Sequence, residues 1–259
     1  MTAVAGLMSL DDLRRAYRVT QTAAENHTPM SARPAVTRWT PATDERVVLV
    51  CGCGGASGVT TVALALATVA GRARVVETCE GTASGLSYAA NAELGVADRG
   101  WLRGTRDAVV VDRRSDSSGS PDGLPAPAAS DMPLSIVDSS WDIAALLASS
   151  GWLGALSRTT PSVVLVARAT IPGLRRLSTA VELVGEARAI AVTLGARRWP
   201  RPVEQSAGFA VRRLRDAGRV VFVPELPALA MTGLTPDPLP PALLRPARTL
   251  LTLLEGPLL

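Results

Sequence analysis

The hydrophobic pattern changes character at residue 46. From Arg46 onward, short apolar runs alternate with longer segments whose apolar residues recur at helical spacing. Short strands that are apolar throughout and separated by helices are typical of a parallel sheet covered on both faces. The pattern therefore predicts an α/β fold with a doubly wound, mostly parallel sheet. The predicted strands are Val47–Val50, Arg74–Glu77, Asp107–Asp112, Leu134–Val137, Ser162–Val166, Ile190–Leu194 and Val220–Val223, and the predicted helices are Thr60–Ala70, Ile143–Leu156, Leu174–Gly185, Ser206–Ala217 and Pro241–Leu254.

Two segments lie outside this alternation. In residues 1–45 the spacing of apolar positions predicts an amphipathic helix over Leu7–Val19. The polar, proline-containing Thr20–Asp44 that follows predicts a flexible linker. Ser115–Ser130 is rich in Ser, Pro, Gly and Ala and predicts a mobile loop. We therefore expect an N-terminal helix with a linker over 1–45, and an α/β domain over 46–259.

A glycine-rich turn between the first predicted strand and the first predicted helix is the most informative motif. Successive glycines let backbone N–H groups turn inward around phosphate oxygens, and the following helix directs its positive end to the same point. Such loops normally end in Gly-Lys-Thr, but Gly58 is followed here by Val59, and all 27 cationic residues are Arg. A turn that binds nothing is the alternative. The predicted nucleotide-binding residues are Gly54, Gly55, Ser57, Gly58, Val59, Thr60 and Thr61.

This loop resembles that of the ParA/MinD family of P-loop ATPases, which reads Lys-Gly-Gly-x-Gly-Lys-Thr-Thr. The family's first, signature lysine falls on Gly54 and its second on Val59, so the Walker A loop is degenerate. Ala56 replaces a glycine. The resemblance covers the segment from Arg46 to Leu254 and implies a P-loop NTPase-like fold. It also implies ATP or ADP with Mg²⁺ as ligands, with Thr60 keeping the hydroxyl that binds the metal.

The same resemblance implies roles for several carboxylates. Asp138, in Ser135-Ile-Val-Asp-Ser139, lies where the family has its Walker B carboxylate, which acts on Mg²⁺. Asp112 is the competing candidate for that role. Glu77 or Glu80 falls where the family positions water and metal. We expect Asp138 and Glu77 to be the catalytic carboxylates, with Thr60 and Asp138 as the metal site.

The resemblance also concerns the base and the missing charge. Pro224 follows a predicted strand and resembles the proline turn that borders the adenine, whereas Leu194-Gly195-Ala196 stands where the family has its base-reading Asn. Two lost charges of this kind are typically worth about 3–4 kcal/mol each in a phosphoryl transition state. Arg168 is the first candidate to replace them, followed by Arg113 or Arg114. An ordinary surface role is the alternative for each of these arginines.

Composition bears on partners and compartment. A net charge of +4 and the Arg-rich segments Arg197–Arg201 and Arg212–Arg219 fit non-specific DNA binding, or else a solvated and partly paired face. The three cysteines predict small buried side chains and no disulfide framework. No apolar run reaches membrane-spanning length, so we expect a cytoplasmic protein. The last predicted helix has only Arg245 and Arg248 as basic residues, which favours packing against the sheet or a partner over membrane binding.

These observations lead to three functional hypotheses. The first is a ParA/MinD-like P-loop protein with impaired hydrolysis. It would act as a positioning, regulatory or scaffold partner in DNA segregation or transfer, or in a cell-pole or secretion apparatus, with a protein partner or as a homodimer. The second is an active Mg²⁺-dependent ATPase of the same family that uses Arg in place of Lys. The third is an Arg-rich nucleic-acid-binding module whose loop is only structural.

Overall fold

The structure, a computed structural model, describes residues 38–79, 83–115 and 119–256. This part of the chain contains nine strands and eight α-helices. The strands are β1 (Arg46–Gly52), β2 (Ala73–Glu77), β3 (Ala92–Val96), β4 (Trp101–Arg106), β5 (Val109–Arg114), β6 (Leu134–Ser139), β7 (Val163–Arg168), β8 (Ala189–Leu194) and β9 (Val220–Val223). The helices are α1 (Val59–Ala70), α2 (Ile143–Ala148), α3 (Trp152–Thr159), α4 (Ile171–Val184), α5 (Arg201–Ser206), α6 (Phe209–Asp216), α7 (Pro227–Thr232) and α8 (Pro241–Glu255).

One nine-stranded sheet organises the fold, in the order β3-β4-β5-β2-β6-β1-β7-β8-β9. The strands from β5 to β9 in this order run parallel, whereas β3 and β4 are antiparallel to their neighbours. The chain winds outward from β1 to β2 on one side and from β7 to β9 on the other. This confirms the predicted doubly wound, mostly parallel sheet and brings the carboxyl ends of β1, β2, β6 and β7 to one edge.

Both faces of the parallel part of the sheet are buried, as the uniformly apolar strands predict. On β1, Val48 and Val50 belong to the core formed with α1 and α8, whereas Leu49 and Cys51 belong to the core formed with α2, α3, α4 and α6. The α8 helix buries Leu243 and Leu250 in the first of these cores. Among the described helices, none has the length and apolar character that crossing a bilayer requires.

A buried ion network fixes β2 against its neighbours. Arg74 is fully buried; its guanidinium pairs with Glu45 at 2.6 Å and lies 3.5 Å from Asp112, and its Nε donates to Ser135 Oγ at 2.9 Å. Trp39 lies below the same guanidinium, 5.6 Å from ring centroid to Cζ. Residues 38–45, assigned to the linker by their polarity, thus contribute buried partners. The predicted Leu7–Val19 helix and the rest of the linker to residue 37 lie outside the described residues.

The main departure from the predicted strands is an antiparallel hairpin at one end of the sheet. Asp107, expected to begin a strand, has φ 52° and lies in the turn between β4 and β5. The edge strand β3 is exposed at every residue. A strand without a buried face lacks the apolar pattern that identifies the central strands, so β3 escaped prediction.

Two predicted helices are each divided in two, and side chains distant in sequence explain the breaks. Asp122 accepts hydrogen bonds from the N–H groups of Ser150 and Gly151, at 2.7 and 2.9 Å, which separates α2 from α3. The N–H of Gly208 donates to Ser178 Oγ at 2.9 Å, between α5 and α6. Within the predicted mobile loop, residues 119–130 bury Leu124 against the core.

Candidate functional site

The crossover topology brings the glycine loop and two of the predicted carboxylates to one edge of the sheet. β6 lies between β1 and β2, so that Asp138 is in register with Val50 on one side and with Glu77 on the other. Asp112 lies on β5, separated from β1 by β2 and β6, and is held by Arg103 at 2.7 Å as well as by Arg74. Asp138 is therefore the carboxylate beside the strand that leads into the loop.

Contacts at both ends hold the backbone of the glycine loop in place. The N–H of Cys53 donates to the Val166 carbonyl at 2.8 Å, which continues the pairing of β1 with β7. Gly58 has φ 84°, and a Cβ at this position would lie 2.3 Å from Cδ2 of Leu194, so only glycine fits. Gly58 precedes α1 without any side-chain cap. The first-turn N–H groups of α1 are therefore left for a ligand or water.

Ser57 is a buried polar side chain within the loop. It is 4% exposed, and its Oγ has no hydrogen-bond partner among the described residues. Its Oγ also lies 2.6 Å from where a Cβ of Gly52 would stand, which explains the glycine there. A buried hydroxyl without a partner costs about 1–3 kcal/mol, so such groups usually mark a place filled by a ligand or water.

Asp138 has the electrostatic properties of a cation ligand. It is 1% exposed, and neither carboxylate oxygen has a hydrogen bond of normal geometry within the described chain. Burial, and then the charge of Glu77, raises the pKa of Asp138 to about 8, while the nearby Thr60 hydroxyl opposes this shift. A carboxylate and a hydroxyl are the hard oxygen donors that Mg²⁺ prefers, so Thr60 and Asp138 fit the implied metal.

Glu77 is held in place by the segment that follows β2. Its carboxylate accepts the Ser84 hydroxyl and the N–H groups of Gly85 and Leu86, at 2.9 and 3.2 Å for the two amides. Burial raises the pKa of Glu77, and these hydrogen bonds oppose the shift. Gly85 also leaves room for Thr60, whose Cγ2 lies 2.9 Å from the position a Cβ would take. Glu80, the alternative to Glu77, lies outside the described residues.

The arginines proposed to replace the missing lysines are largely engaged elsewhere. Arg168 stands at the end of β7 and pairs with Glu225, with both side chains about half exposed. Arg113 pairs with Glu93, and the Arg114 guanidinium lies 5.1 Å from the Trp101 ring centroid. The latter two belong to β5, on the far side of β2 and β6 from the loop.

Arg176, on α4, is the cation that sequence analysis missed. Its Nη1 lies 2.7 Å from the position that a Cβ of Gly54 would occupy. Gly54 is also where the family's signature lysine falls in the resemblance described above. Arg176 is exposed and makes no ion pair or hydrogen bond within the described residues. The strand–turn–helix pattern after β7 predicts that α4 begins at the loop edge. It does not predict which arginine of α4 points toward the loop.

A cavity of about 250 Å³ lies beside the loop. It is lined by Gly58, Thr61, Leu194 and Pro224, by the Arg168–Glu225 ion pair and by apolar residues of α7 and α8. Pro224, predicted to border a base, thus shares a cavity with two loop residues. Leu194 packs against Gly58 and adds an apolar side chain to this cavity, where the family has an amide.

The Arg-rich segments near the late strands are partly neutralised. Arg213 pairs with Glu186, and Arg215 pairs with Glu204 at 2.9 Å. Arg219 donates to the carbonyls of Glu186 and Ala187, at 2.8 and 2.9 Å. Two of the seven arginines in these segments are therefore paired with a carboxylate. No group of three or more His, Cys, Asp or Glu suited to a metal occurs in the ranges 38–79, 83–115 and 119–256.

The fold recurs in two solved structures. The chain aligns with a chain of the MinC:MinD cell division protein complex of Aquifex aeolicus at 15% identity and a TM-score of 0.50, over 80% of this chain and 96% of that one. It also aligns with a plasmid partition protein of Borrelia burgdorferi B31 bound to AMPPNP, at 13% identity and a TM-score of 0.53, over 83% and 99% of the two chains. No protein-family model and no curated protein matches the sequence. The chain thus has the ParA/MinD-type P-loop NTPase fold.

Proposed function

We propose that this chain is a cytoplasmic ParA/MinD-type P-loop protein that binds an adenine nucleotide with Mg²⁺ but hydrolyses it poorly. The observation that carries this proposal is a pair of buried side chains at the glycine loop, Ser57 and Asp138, whose oxygens have no hydrogen-bond partner within the described ranges. They lie beside loop positions Gly54 and Val59, which hold no lysine. The protein acts as a positioning, regulatory or scaffold partner, with another protein or a second copy of itself. DNA segregation or transfer and a cell-pole or secretion apparatus are settings supported by fold analogy alone.

Each part of the nucleotide has a matching part of the site. The loop N–H groups and the start of α1 face the phosphates. The cavity between Gly58, Thr61 and Pro224 takes the base. Thr60 and Asp138 hold Mg²⁺, which supplies charge neutralisation of the phosphate oxygens when bound. Leu194 offers the base an apolar contact in this cavity, where the family has an amide.

Poor hydrolysis follows from which groups are missing. Removing one positioned donor to a developing negative charge typically lowers the rate about 10²–10³-fold, and two lysine positions are filled by Gly54 and Val59. The Glu77 carboxylate, the candidate for positioning water, already accepts three hydrogen bonds from residues 84–86. The site is thus better equipped to hold a nucleotide than to turn it over.

The two related folds support this proposal by analogy. One is in complex with the analogue AMPPNP, and the other belongs to a two-protein assembly, MinC:MinD. Nucleotide binding and protein partnering are therefore both compatible with this architecture.

The test is calorimetric titration with ATP and ADP, with and without Mg²⁺, together with a phosphate-release assay. We expect Mg²⁺-dependent binding, turnover far below about one per second, and loss of the Mg²⁺ dependence in Thr60→Ala. Thr68→Ala is the matched control, because Thr68 lies on the same helix with its hydroxyl bonded to Leu64. Turnover at ordinary ATPase rates that disappears in Thr60→Ala and Asp138→Ala would establish the active-enzyme hypothesis instead. Absence of binding would remove the nucleotide from the proposal.

A further inference from the structure

Arg176 is a cation placed over the glycine loop, and it pairs with no residue in the part of the chain that the structure describes. Its side chain reaches from α4 to Gly54, with Nη1 at 2.7 Å and Cδ at 3.5 Å from the Cβ position of that glycine. Arg176 lines one cavity together with Gly54, Gly55 and Ser57. The cavity therefore contains a guanidinium, a glycine backbone and the buried Ser57 hydroxyl, which has no hydrogen-bond partner among the described residues. The guanidinium and the backbone N–H groups donate hydrogen bonds, and the Ser57 hydroxyl can donate one as well.

Two charged residues that line cavities together with Arg176 make contacts elsewhere. Arg168, which lines the same cavity, is paired with Glu225. Asp142 lies in the adjoining cavity that Arg176 also lines, and its Oδ1 accepts the N–H groups of Ala144 and Ala145, where it caps α2. A site with several convergent donors is suited to an anion. A guanidinium binds phosphate with two parallel hydrogen bonds.

Building on the proposed function, we propose that Arg176 supplies from α4 the positive charge that the glycine loop lacks, and that it binds a phosphate group of the polyphosphate held there. The arginine reaches the loop from the side, through Gly54, and belongs to the same chain. The absence of a Cβ at Gly54 leaves the room that the guanidinium occupies in this arrangement. The missing lysine and the approaching arginine are thus two parts of one arrangement.

The role of Arg176 is phosphate binding, which distinguishes it from a catalytic role. Its contact is to Gly54, on the β7–α4 side of the loop, whereas Thr60 and Asp138 lie on the β2–β6 side. The residue therefore neutralises bound phosphate without contacting the carboxylates that fit the metal. We expect it to govern affinity for phosphate-bearing ligands and to leave the affinity for the base unchanged.

The test compares Arg176→Gln with Arg175→Gln in the full chain, using inorganic pyrophosphate, MgATP and adenosine as separate probes in calorimetry. Arg175 is the adjacent exposed arginine of α4, turned by about 100° around the helix axis. We expect Arg176→Gln to weaken pyrophosphate and MgATP binding about ten- to a hundredfold, the effect of losing a charge-assisted contact. Arg175→Gln should change neither, and Arg176→Lys should restore part of the affinity. Adenosine binding should be equal in all variants.

The outcomes separate this proposal from the proposed function. Unchanged pyrophosphate and MgATP binding in Arg176→Gln overturns the role of Arg176 and leaves nucleotide binding standing. Pyrophosphate binding that depends on Arg176, without any binding of ATP or ADP, supports the arginine site and overturns the nucleotide proposal. Failure of the wild-type protein to bind pyrophosphate overturns the arginine site. Equal melting temperatures of the two glutamine variants would show that the effect is not one of folding.

Discussion

Replacing Asp138 with Asn should change how the stability of the metal-free protein depends on pH. Asp138 is 1% exposed, and Glu77 lies opposite it on the neighbouring strand. Desolvation is the larger cause, and the charge of Glu77 the next, of a pKa raised from the ordinary 3.8 to about 8. Without a bound cation, the folded protein therefore keeps this carboxyl protonated at neutral pH.

The sign and size of the effect follow from proton linkage. Below about pH 4, Asp138 is protonated in both the folded and the unfolded chain, so it adds no pH dependence to the free energy of unfolding. From there to the folded pKa of about 8, only the unfolded chain loses the proton. The free energy of unfolding then falls by up to about 1.4 kcal/mol per pH unit, or roughly 5 kcal/mol over the whole window. Asn at position 138 cannot titrate, so the variant gains stability relative to wild type as pH rises.

Urea unfolding in the presence of EDTA, at intervals between about pH 5 and 8.5, measures this difference directly. Asp131→Asn is the control, because the Asp131 side chain is 83% exposed and its pair with Arg72 is long, at 3.7 Å. That variant should keep the wild-type slope. Parallel pH profiles for wild type and Asp138→Asn would refute the argument, since they would mean that Asp138 is ionised in the folded chain. Bound Mg²⁺ and nucleotide should flatten the wild-type profile, because a metal ligand must be deprotonated.

Two further predictions concern the loop itself. Ala56 has φ 52°, a left-handed conformation that costs an L-residue about 1–2 kcal/mol, so Ala56→Gly should raise the free energy of unfolding in urea by roughly 0.5–1 kcal/mol. The control Ala70→Gly, on α1, should lower it. A lower free energy of unfolding for Ala56→Gly would contradict the argument. Burial and the charge of Asp142 raise the pKa of Cys53 from 9.0 to about 12, so its alkylation at pH 8 should be about a thousandfold slower than that of free cysteine and should accelerate tenfold per pH unit. Rapid, pH-independent labelling in the folded state would disprove the shift.

The sheet could be predicted from sequence because its central strands are buried on both faces. Strands such as Val163–Arg168 and Ala189–Leu194 are apolar at nearly every position, a pattern that indicates burial on both faces. The place of Asp138 follows from the same logic, since a strand ending in a carboxylate beside β1 brings that group to the loop. The glycine loop with Ser57 could be predicted from local sequence, whereas the roles of Thr60 and Asp138 were predicted from the resemblance to the ParA/MinD family.

What sequence could not supply depends on contacts between distant side chains. The break between α2 and α3 is made by Asp122, which lies 28 residues from Ser150. The direction of Arg176 depends on how α4 packs against the sheet, and Arg175 would have served equally on spacing alone. Leu194 looked like a simple loss of a base-reading amide, but its side chain also packs against Gly58 and closes one end of the loop.

Two buried polar side chains at the loop edge favour a ligand-binding loop over a purely structural one. Away from the loop, the buried Arg74 guanidinium has Glu45, Asp112 and Ser135 around it, although unpartnered buried atoms also occur there, such as Trp39 Nε1 and Trp101 Nε1. At the loop edge, Ser57 and Asp138 are left without hydrogen bonds in the described part of the chain. A turn that served only to connect β1 with α1 would gain stability from pairing or replacing these groups, because each costs free energy while unpaired. Hydrogen-bond donors lie around Gly54, and acceptors lie beside Thr60. This arrangement suits an anion and a cation that bind together, as a nucleotide does with Mg²⁺.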